Sequence, residues 1–315
     1  MSNDVSVVIP VYNGQAFIGR AIESILRQTH PANEIIVVND GSQDRTLEVV
    51  EGFGGCVKVI TTPNRGVSSA RNTGISACTS TFIAFLDADD EWSNNKIERQ
   101  MQFLAKHPDV GLCCCDYLVD DGRALRSHFS FVEQENQCPV ADWNKQGLSI
   151  LAKGNFIGTA SAVIVRRSLL ETVGGFDSRF KQAEDYDLWM RCALASKIGV
   201  VPEVLLRKIG HENNLTNNRI EMFQYHEAVL SMHICSSAFR ACPGIEHDAL
   251  LGLAQTRYQI ANLFFESGHY MESLTYYLKG LKTTRSRKNI ALFSYYAARK
   301  IVRMTSFGRI RARTV

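Results

Sequence analysis

Asp87-Ala88-Asp89 follows directly on the apolar run 82–86. Carboxylates at i and i+2 just past a strand end can point into one cleft. There they would hold a hard divalent cation, Mg²⁺ or Mn²⁺, whose shell substrate phosphate oxygens complete. A solvated acidic turn would look the same, so the pair gains meaning from its company. A second acidic group, Glu184-Asp185-Tyr186-Asp187, follows Gly174-Gly175-Phe176-Asp177 at the start of a helical pattern. Such residues could take a proton in catalysis, or merely favour the positive end of their helix. The run Cys113-Cys114-Cys115 lies inside the apolar stretch 110–117. Adjacent strand residues face opposite ways, so the three thiols cannot converge on one zinc and read as small buried hydrophobes.

The elements that must position these carboxylates alternate along the first half of the chain. Strand patterns at 5–10, 35–38, 57–61 and 81–86 are separated by helical patterns at 17–26, 44–53 (with Ser42 as a cap) and 67–77. Further helices are expected at 96–106 and 184–195, and further strands at 160–165 and 204–209, with loops over 120–157. The alternation predicts an α/β fold, a mainly parallel sheet between helices. Ligands of such sheets bind outside the carboxyl ends of the strands. Three strand exits carry polar or glycine-containing sequence at that edge: Pro10-Val11-Tyr12-Asn13-Gly14, Asn39-Asp40-Gly41-Ser42 and Asp87-Ala88-Asp89-Asp90. A pocket is expected there.

Composition sets the limits. With 45% hydrophobic and 21% charged residues, the chain is no disordered, collagen-like or disulfide-scaffold protein. Nine scattered cysteines fit a reducing, cytoplasmic setting. No basic, apolar leader precedes the first strand, and no apolar run approaches the roughly 18 residues of a membrane-spanning helix. The net charge of +3 conceals an asymmetry: residues 273–315 hold 11 Lys or Arg and no acid, while the first 272 have a net charge of −8.

Taken in order, 7–13 (VVIPVYN), 37–42 (VVNDGS), 64–72 (NRGVSSARN), 85–90 (FLDADD), 174–177 (GGFD) and 184–189 (EDYDLW) resemble the family 2 glycosyltransferases over roughly residues 4–215. The resemblance implies a GT-A fold and inverting transfer of a sugar from a nucleotide-diphosphate donor, with uracil the usual base. It implies that Pro10, Val11, Tyr12, Asp40, Arg71, Asp87 and Ala88 line the nucleotide site, with Tyr12 stacking on the base and Asp40 bonding its edge. Asp87 would meet the ribose or the metal, and Asp89 would be the direct metal ligand. His211 would reach the metal or diphosphate, and Asp185 would deprotonate the acceptor hydroxyl. The rival classes are a nucleotidyltransferase and a non-catalytic sugar- or protein-binding module. The first would want a basic, glycine-rich loop that Val11-Tyr12-Asn13-Gly14 lacks, and intact Asp89 and Asp185 speak against the second.

These expectations divide the chain into a catalytic domain, 1–218, and a helical region with a basic tail, 219–315. Within 257–281, two helices around Gly268-His269-Tyr270 resemble one tetratricopeptide-type hairpin. Beyond it, 290–304 mixes Leu292, Phe293, Tyr295, Tyr296, Ile301 and Val302 with Arg299, Lys300 and Arg303, a pattern suited to an anionic membrane surface. The expected partners are therefore a nucleotide-sugar donor, a glycan or lipid-linked acceptor, and the cytoplasmic face of a membrane met peripherally. No nucleic-acid module accompanies the tail, so no nucleic-acid partner is expected.

Overall fold

The computed structural model of the chain describes residues 4–120, 125–136, 143–210, 218–242 and 244–283. Two compact units emerge, Met1–Asn217 and Asn218–Val315. The first is built on one sheet. Strand β1 (Val5–Val11) is buried throughout and pairs in parallel with β2 (Glu34–Asn39) and β4 (Phe82–Phe85), while β3 (Lys58–Thr61) extends β2 in parallel. Beyond β4 the sheet becomes mixed. β8 (Val163–Arg166) runs antiparallel to β4 and to β6 (Val110–Asp120). β9 (Lys197–Ile209) is parallel to β6, and β5 (Glu91–Trp92) closes the edge antiparallel to β9. β7 (Leu125–Ser127) pairs with β6 off the main order β3-β2-β1-β4-β8-β6-β9-β5.

Helices cover both faces, which is why β1 and β2 read as continuous apolar runs. On one face α1 (Ile18–Leu26) buries Ile18, Ala21, Ile22 and Ile25 in a core shared with Val7, Ile9, Val37, Ile97 and Met101. Each isoleucine, valine or methionine among them contributes about 1.5–3 kcal/mol on burial. On the other face α3 (Val67–Ala77) meets Val8 at Gly74, where a Cβ would collide with the Val8 side chain. That close approach fixes the height of Arg71, one turn earlier on α3.

Three local expectations change. Ser42 does not cap α2 (Thr46–Glu51); its hydroxyl accepts the Asn13 N–H at 3.0 Å, and Asp44 accepts the Thr46 N–H. The stretch read as loops holds α5 (His128–Asn136) and α6 (Trp143–Lys153) besides β7. Their apolar rhythm is weak because α5 buries only Phe129 and Val132 among its described side chains, and α6 is broken at Gln146, whose φ is −125°. Finally, β9 starts at Lys197, well before 204. A bulge at Pro202-Glu203, between the pairs Cys115–Val201 and Asp116–Val204, interrupts its pattern. The remaining helices of this unit are α4 (Lys96–Lys106), α7 (Arg167–Val173) and α8 (Glu184–Ala195).

The second unit is helical: α9 (Arg219–Cys235), α10 (Ser237–Arg240), α11 (Ile245–Glu266) and α12 (Tyr270–Thr283). α11 and α12 form a hairpin in which Tyr258 and Tyr277 pack together and the Ser273 hydroxyl donates to the Ala261 carbonyl at 2.7 Å. Arg257 ties it to α9 through Glu227 at 2.6 Å. Among the described residues no helix is long and apolar enough to cross a membrane.

Candidate active site

The first two strand exits are laced together by side chains acting on backbone. Asn13, in the left-handed region at φ 50°, accepts the Gln43 N–H at 2.8 Å and donates its own N–H to Ser42. Gly14 donates to Thr46 Oγ1 at 2.8 Å, and Gln15 to Asp44 at 3.1 Å. This lacing leaves the Tyr12 ring 50% exposed at the edge of the sheet. Pro10 and Val11 are buried in β1, and Val11 O accepts the Asp40 N–H at 2.8 Å. Asp40 is itself buried, its carboxylate accepting the N–H groups of Arg65 (3.0 Å) and Gly66 (2.8 Å) just before α3. Ala88 lies near Gly14, joining the third exit to the first.

At that third exit, Asp87 accepts from Arg71 Nη2 at 2.7 Å and from Thr159 Oγ1 at 3.4 Å, while its own N–H donates to Ser161 Oγ at 2.9 Å. Burial would raise the Asp87 pKa, but Arg71 and Lys208 more than offset it and hold the carboxyl below its ordinary value. The same Arg71 donates through Nη1 to Glu184 Oε1 at 2.6 Å, with its guanidinium centre 5.0 Å from the Phe176 ring centroid. One buried cation thus bridges the Asp-Ala-Asp exit to the first residue of α8. Burial pulls the Arg71 pKa down, and the two carboxylates carry it well above normal.

Within the acidic start of α8 the three carboxylates differ. Glu184 is held by Arg71. Asp187 is fully buried and bonded to Arg191 (2.7 and 2.9 Å), which also gathers the carbonyls of Val173 and Gly175; it belongs to the scaffold. Among the described residues, Asp185 accepts the neighbouring Tyr186 N–H at 2.6 Å. Burial first, then the adjacent Glu184, pushes its pKa up to about 6, against the pull of Arg71 and Lys208. A carboxylate with that proton affinity suits a general base near neutral pH. Ala183, just before Glu184, sits in the left-handed region at φ 61°, a strain typical of functional sites.

Among the described residues no three His, Cys, Asp or Glu side chains gather as a metal centre, so they would offer a cation one or two carboxylates at most. Burial, reinforced by the charges of Asp87 and Asp89, pushes the Asp90 pKa up to about 8, and Asp90 Oδ2 is buried with no hydrogen-bond partner among the described residues. Negative charge is in excess here, as a cation site requires. His211, the other expected ligand, lies outside the described residues.

Lys208 escaped the sequence reading. From β9 it acts on Asp90, Asp87, Asp89 and Asp185 together; burial would lower its pKa, but these carboxylates raise it. The signal was strand alternation: its neighbour Arg207 turns outward to Asp120, so Lys208 faces the other way. Asn72 was also missed as a structural clamp. Its side chain accepts the Phe176 N–H and donates to the Phe176 carbonyl, both at 2.8 Å.

The sequence matches the profile described as Glycosyl transferase family 2 over residues 6–174, a segment that stops short of Glu184. An uncharacterized glycosyltransferase of Rickettsia typhi is 32% identical over 229 residues, covering 72% of this chain and 70% of its own. The Escherichia coli UDP-Glc:alpha-D-GlcNAc-diphosphoundecaprenol beta-1,3-glucosyltransferase WfgD is 30% identical over 199 residues, 62% of this chain and 72% of that protein. Among solved structures, S. aureus TarS 1–349 in complex with UDP-GlcNAc superimposes with a TM-score of 0.64 at 18% identity, over 95% of this chain and 88% of that one. The mannosyltransferase PcManGT from Pyrobaculum calidifontis, in complex with GDP-Man and Mn²⁺, gives 0.63 at 19% identity, over 94% and 80%. At these identities the two structures establish a shared fold.

Proposed function

The chain belongs to glycosyl transferase family 2, an inverting glycosyltransferase of GT-A fold, and from that premise we propose that it transfers a sugar from a UDP-sugar to a hydroxyl of a glycan or lipid-linked acceptor. The observation that carries this reading is the Arg71 bridge, which ties the Asp87-Ala88-Asp89 exit to Glu184-Asp185. Donor site and proton acceptor thereby meet on one edge of the sheet.

In this reading the half-exposed Tyr12 stacks on the base, with Asp40 at its edge. Pro10, Val11 and Ala88 shape the floor, and Asp87 meets the ribose. Asp89, with His211, would hold Mg²⁺ or Mn²⁺. When bound, the cation offsets the negative charge that builds on the departing diphosphate. Asp185 takes the proton of the acceptor hydroxyl as its oxygen forms a bond to the anomeric carbon from the face opposite the diphosphate. The bond from that carbon to the diphosphate breaks, and UDP leaves with the electron pair. A base of this kind contributes about 10²–10⁴-fold in rate.

WfgD, by its name, acts on UDP-Glc and a diphosphoundecaprenol-linked sugar, which supports a UDP donor and a lipid-linked acceptor here. Met271, Leu274 and Leu278 recur at helical spacing on α12 and are exposed. With the basic sequence that follows, they support peripheral contact with an anionic membrane and a place in cell-surface polysaccharide synthesis. A screen of UDP-sugars for hydrolysis with and without Mn²⁺ tests the proposal. Metal-dependent release of UDP from one of them is the expected result, and inertness toward all of them would overturn it.

A further inference from the structure

Arg71 sits where a nucleotide ligand was expected, yet both terminal nitrogens of its guanidinium are already committed, while its Nε is buried with no partner among the described residues. The residue is 4% exposed, those two nitrogens are bound to Asp87 and Glu184, and the guanidinium face lies against Phe176. We infer that Arg71 is a positioning residue for the transfer, clamping the start of α8 to the donor edge so that Asp185 is aimed at the acceptor, and is not a ligand of the donor. This rests on the reading of Asp185 as the base.

Three further observations converge on the clamp. The next residue, Asn72, grips the Phe176 backbone with two hydrogen bonds, so consecutive α3 side chains hold the turn before α8 and the helix start itself. Gly175 makes this possible, since a Cβ there would collide with the Asn72 amide. Ala183 holds its left-handed conformation immediately before Glu184. Such a conformation persists only when its surroundings enforce it, and here the Asp187 N–H holds the Ala183 carbonyl while Arg71 anchors the adjoining Glu184. A lysine could not replace this arrangement, because one ammonium lacks the planar fork that spans two carboxylates.

The clamp also sets the charge around Asp185. Facing that carboxyl are Glu184 from its own helix, Arg71 from α3, Lys208 from β9 and the Tyr117 hydroxyl from β6. Glu184 strengthens its hold on a proton, whereas Arg71 and Lys208 weaken it. Removing a member of the clamp should therefore move the Asp185 titration in a direction fixed by sign, which mere loosening of the scaffold would not do.

The test uses the full chain with Arg71→Lys, Glu184→Gln and the charge-compensated pair Arg71→Met with Glu184→Gln. UDP affinity with Mn²⁺ is measured by calorimetry. The Asp185 titration is followed in metal-free protein by ¹³C NMR of labelled aspartate, its resonance identified by its loss in Asp185→Asn. Neither measurement requires the donor sugar to be known; turnover is followed with whichever UDP-sugar the wild type hydrolyses. For Arg71→Lys the expected result is UDP affinity within about threefold of wild type, kcat at least tenfold lower, and an Asp185 midpoint no lower than wild type. For Glu184→Gln the midpoint should fall at unchanged UDP affinity, and this variant decides the matter should Arg71→Lys not fold. Loss of UDP affinity in step with rate in Arg71→Lys would make Arg71 a donor ligand and overturn the inference. An unmoved midpoint in Glu184→Gln would overturn it too, as would a compensated pair whose midpoint falls as far as that of Glu184→Gln, since loss of Arg71 should offset part of the fall. Asp185→Asn separates this from the parent reading. If it keeps full turnover, the base assignment falls; if it is inactive while Arg71→Lys is normal, only the clamp falls.

Discussion

Replacing Asp185 with Asn should make the enzyme less active and more stable. In the folded chain the Asp185 carboxyl has its pKa raised from 3.8 to about 6, so folding favours the protonated acid and opposes the anion. Raising the pKa by that much makes the ionised form cost about 3 kcal/mol of stability above pH 6. Because the folded value is the higher one, this cost is fully present above about pH 6, shrinks as pH falls, and is gone below the ordinary value of 3.8. Asn is uncharged at every pH and its carbonyl oxygen can still accept the Tyr186 N–H. Asp185→Asn should therefore be about 3 kcal/mol more stable than wild type at pH 7.5 and about half as much more stable at pH 5. For a unit of this size the larger figure corresponds to roughly 6–12 °C in melting temperature. Thermal unfolding of both proteins across that range, with Mn²⁺ removed, is the assay. A gap that is zero, negative or independent of pH would refute the argument that the site holds an energetically unfavourable carboxylate.

Tyr12→Ala should weaken UDP binding by about 5–150-fold, the stacking of one base on an exposed ring being worth about 1–3 kcal/mol; calorimetry with Mn²⁺ decides it, and an unchanged affinity removes Tyr12 from the base site. Gly175→Ala should cost about 1–3 kcal/mol by overpacking against Asn72 and should lower kcat with it, as urea unfolding and donor turnover will show; a neutral substitution would mean the turn tolerates the methyl. A chain ending at Thr283 should lose binding to vesicles of anionic lipid while still hydrolysing donor, and the binding of the full chain should fall as salt rises, since each basic residue near such a surface contributes roughly 1 kcal/mol. Equal vesicle binding by both chains would remove the membrane role.

The parallel half of the sheet was legible because its strands are buried on both faces and read as short apolar runs between amphipathic helices. The bounds of α3, α4 and α8 could be read directly, since Gly66, Asn95 and Ala183 precede clean helical patterns. Less visible was whatever tertiary contact had decided. The bulge at Pro202-Glu203 hid the first half of β9, and the break at Gln146 hid α6. In the site, the three polar strand exits could be read as lying on one edge of the sheet, whereas the tasks expected of Tyr12, Asp40, Asp87 and Asp89 there came from the resemblance to the family. Arg71 could be found but not understood, because the sequence does not reveal that Glu184, 113 positions away, shares its guanidinium with Asp87. Lys208 was missed for the same reason: its acidic partners come from other elements entirely.

The central claim assigns two carboxylates two separable tasks: Asp89 holds the metal and donor, and Asp185 takes the proton. UDP affinity in the presence of Mn²⁺ and turnover of a UDP-sugar, measured side by side for wild type, Asp89→Asn and Asp185→Asn, test it most directly. Asp89→Asn should lose both together. Asp185→Asn should keep UDP affinity within about threefold while kcat falls by about 10²–10⁴. Full turnover by Asp89→Asn in excess chelator, or loss of UDP binding by Asp185→Asn in step with its rate, would contradict the account.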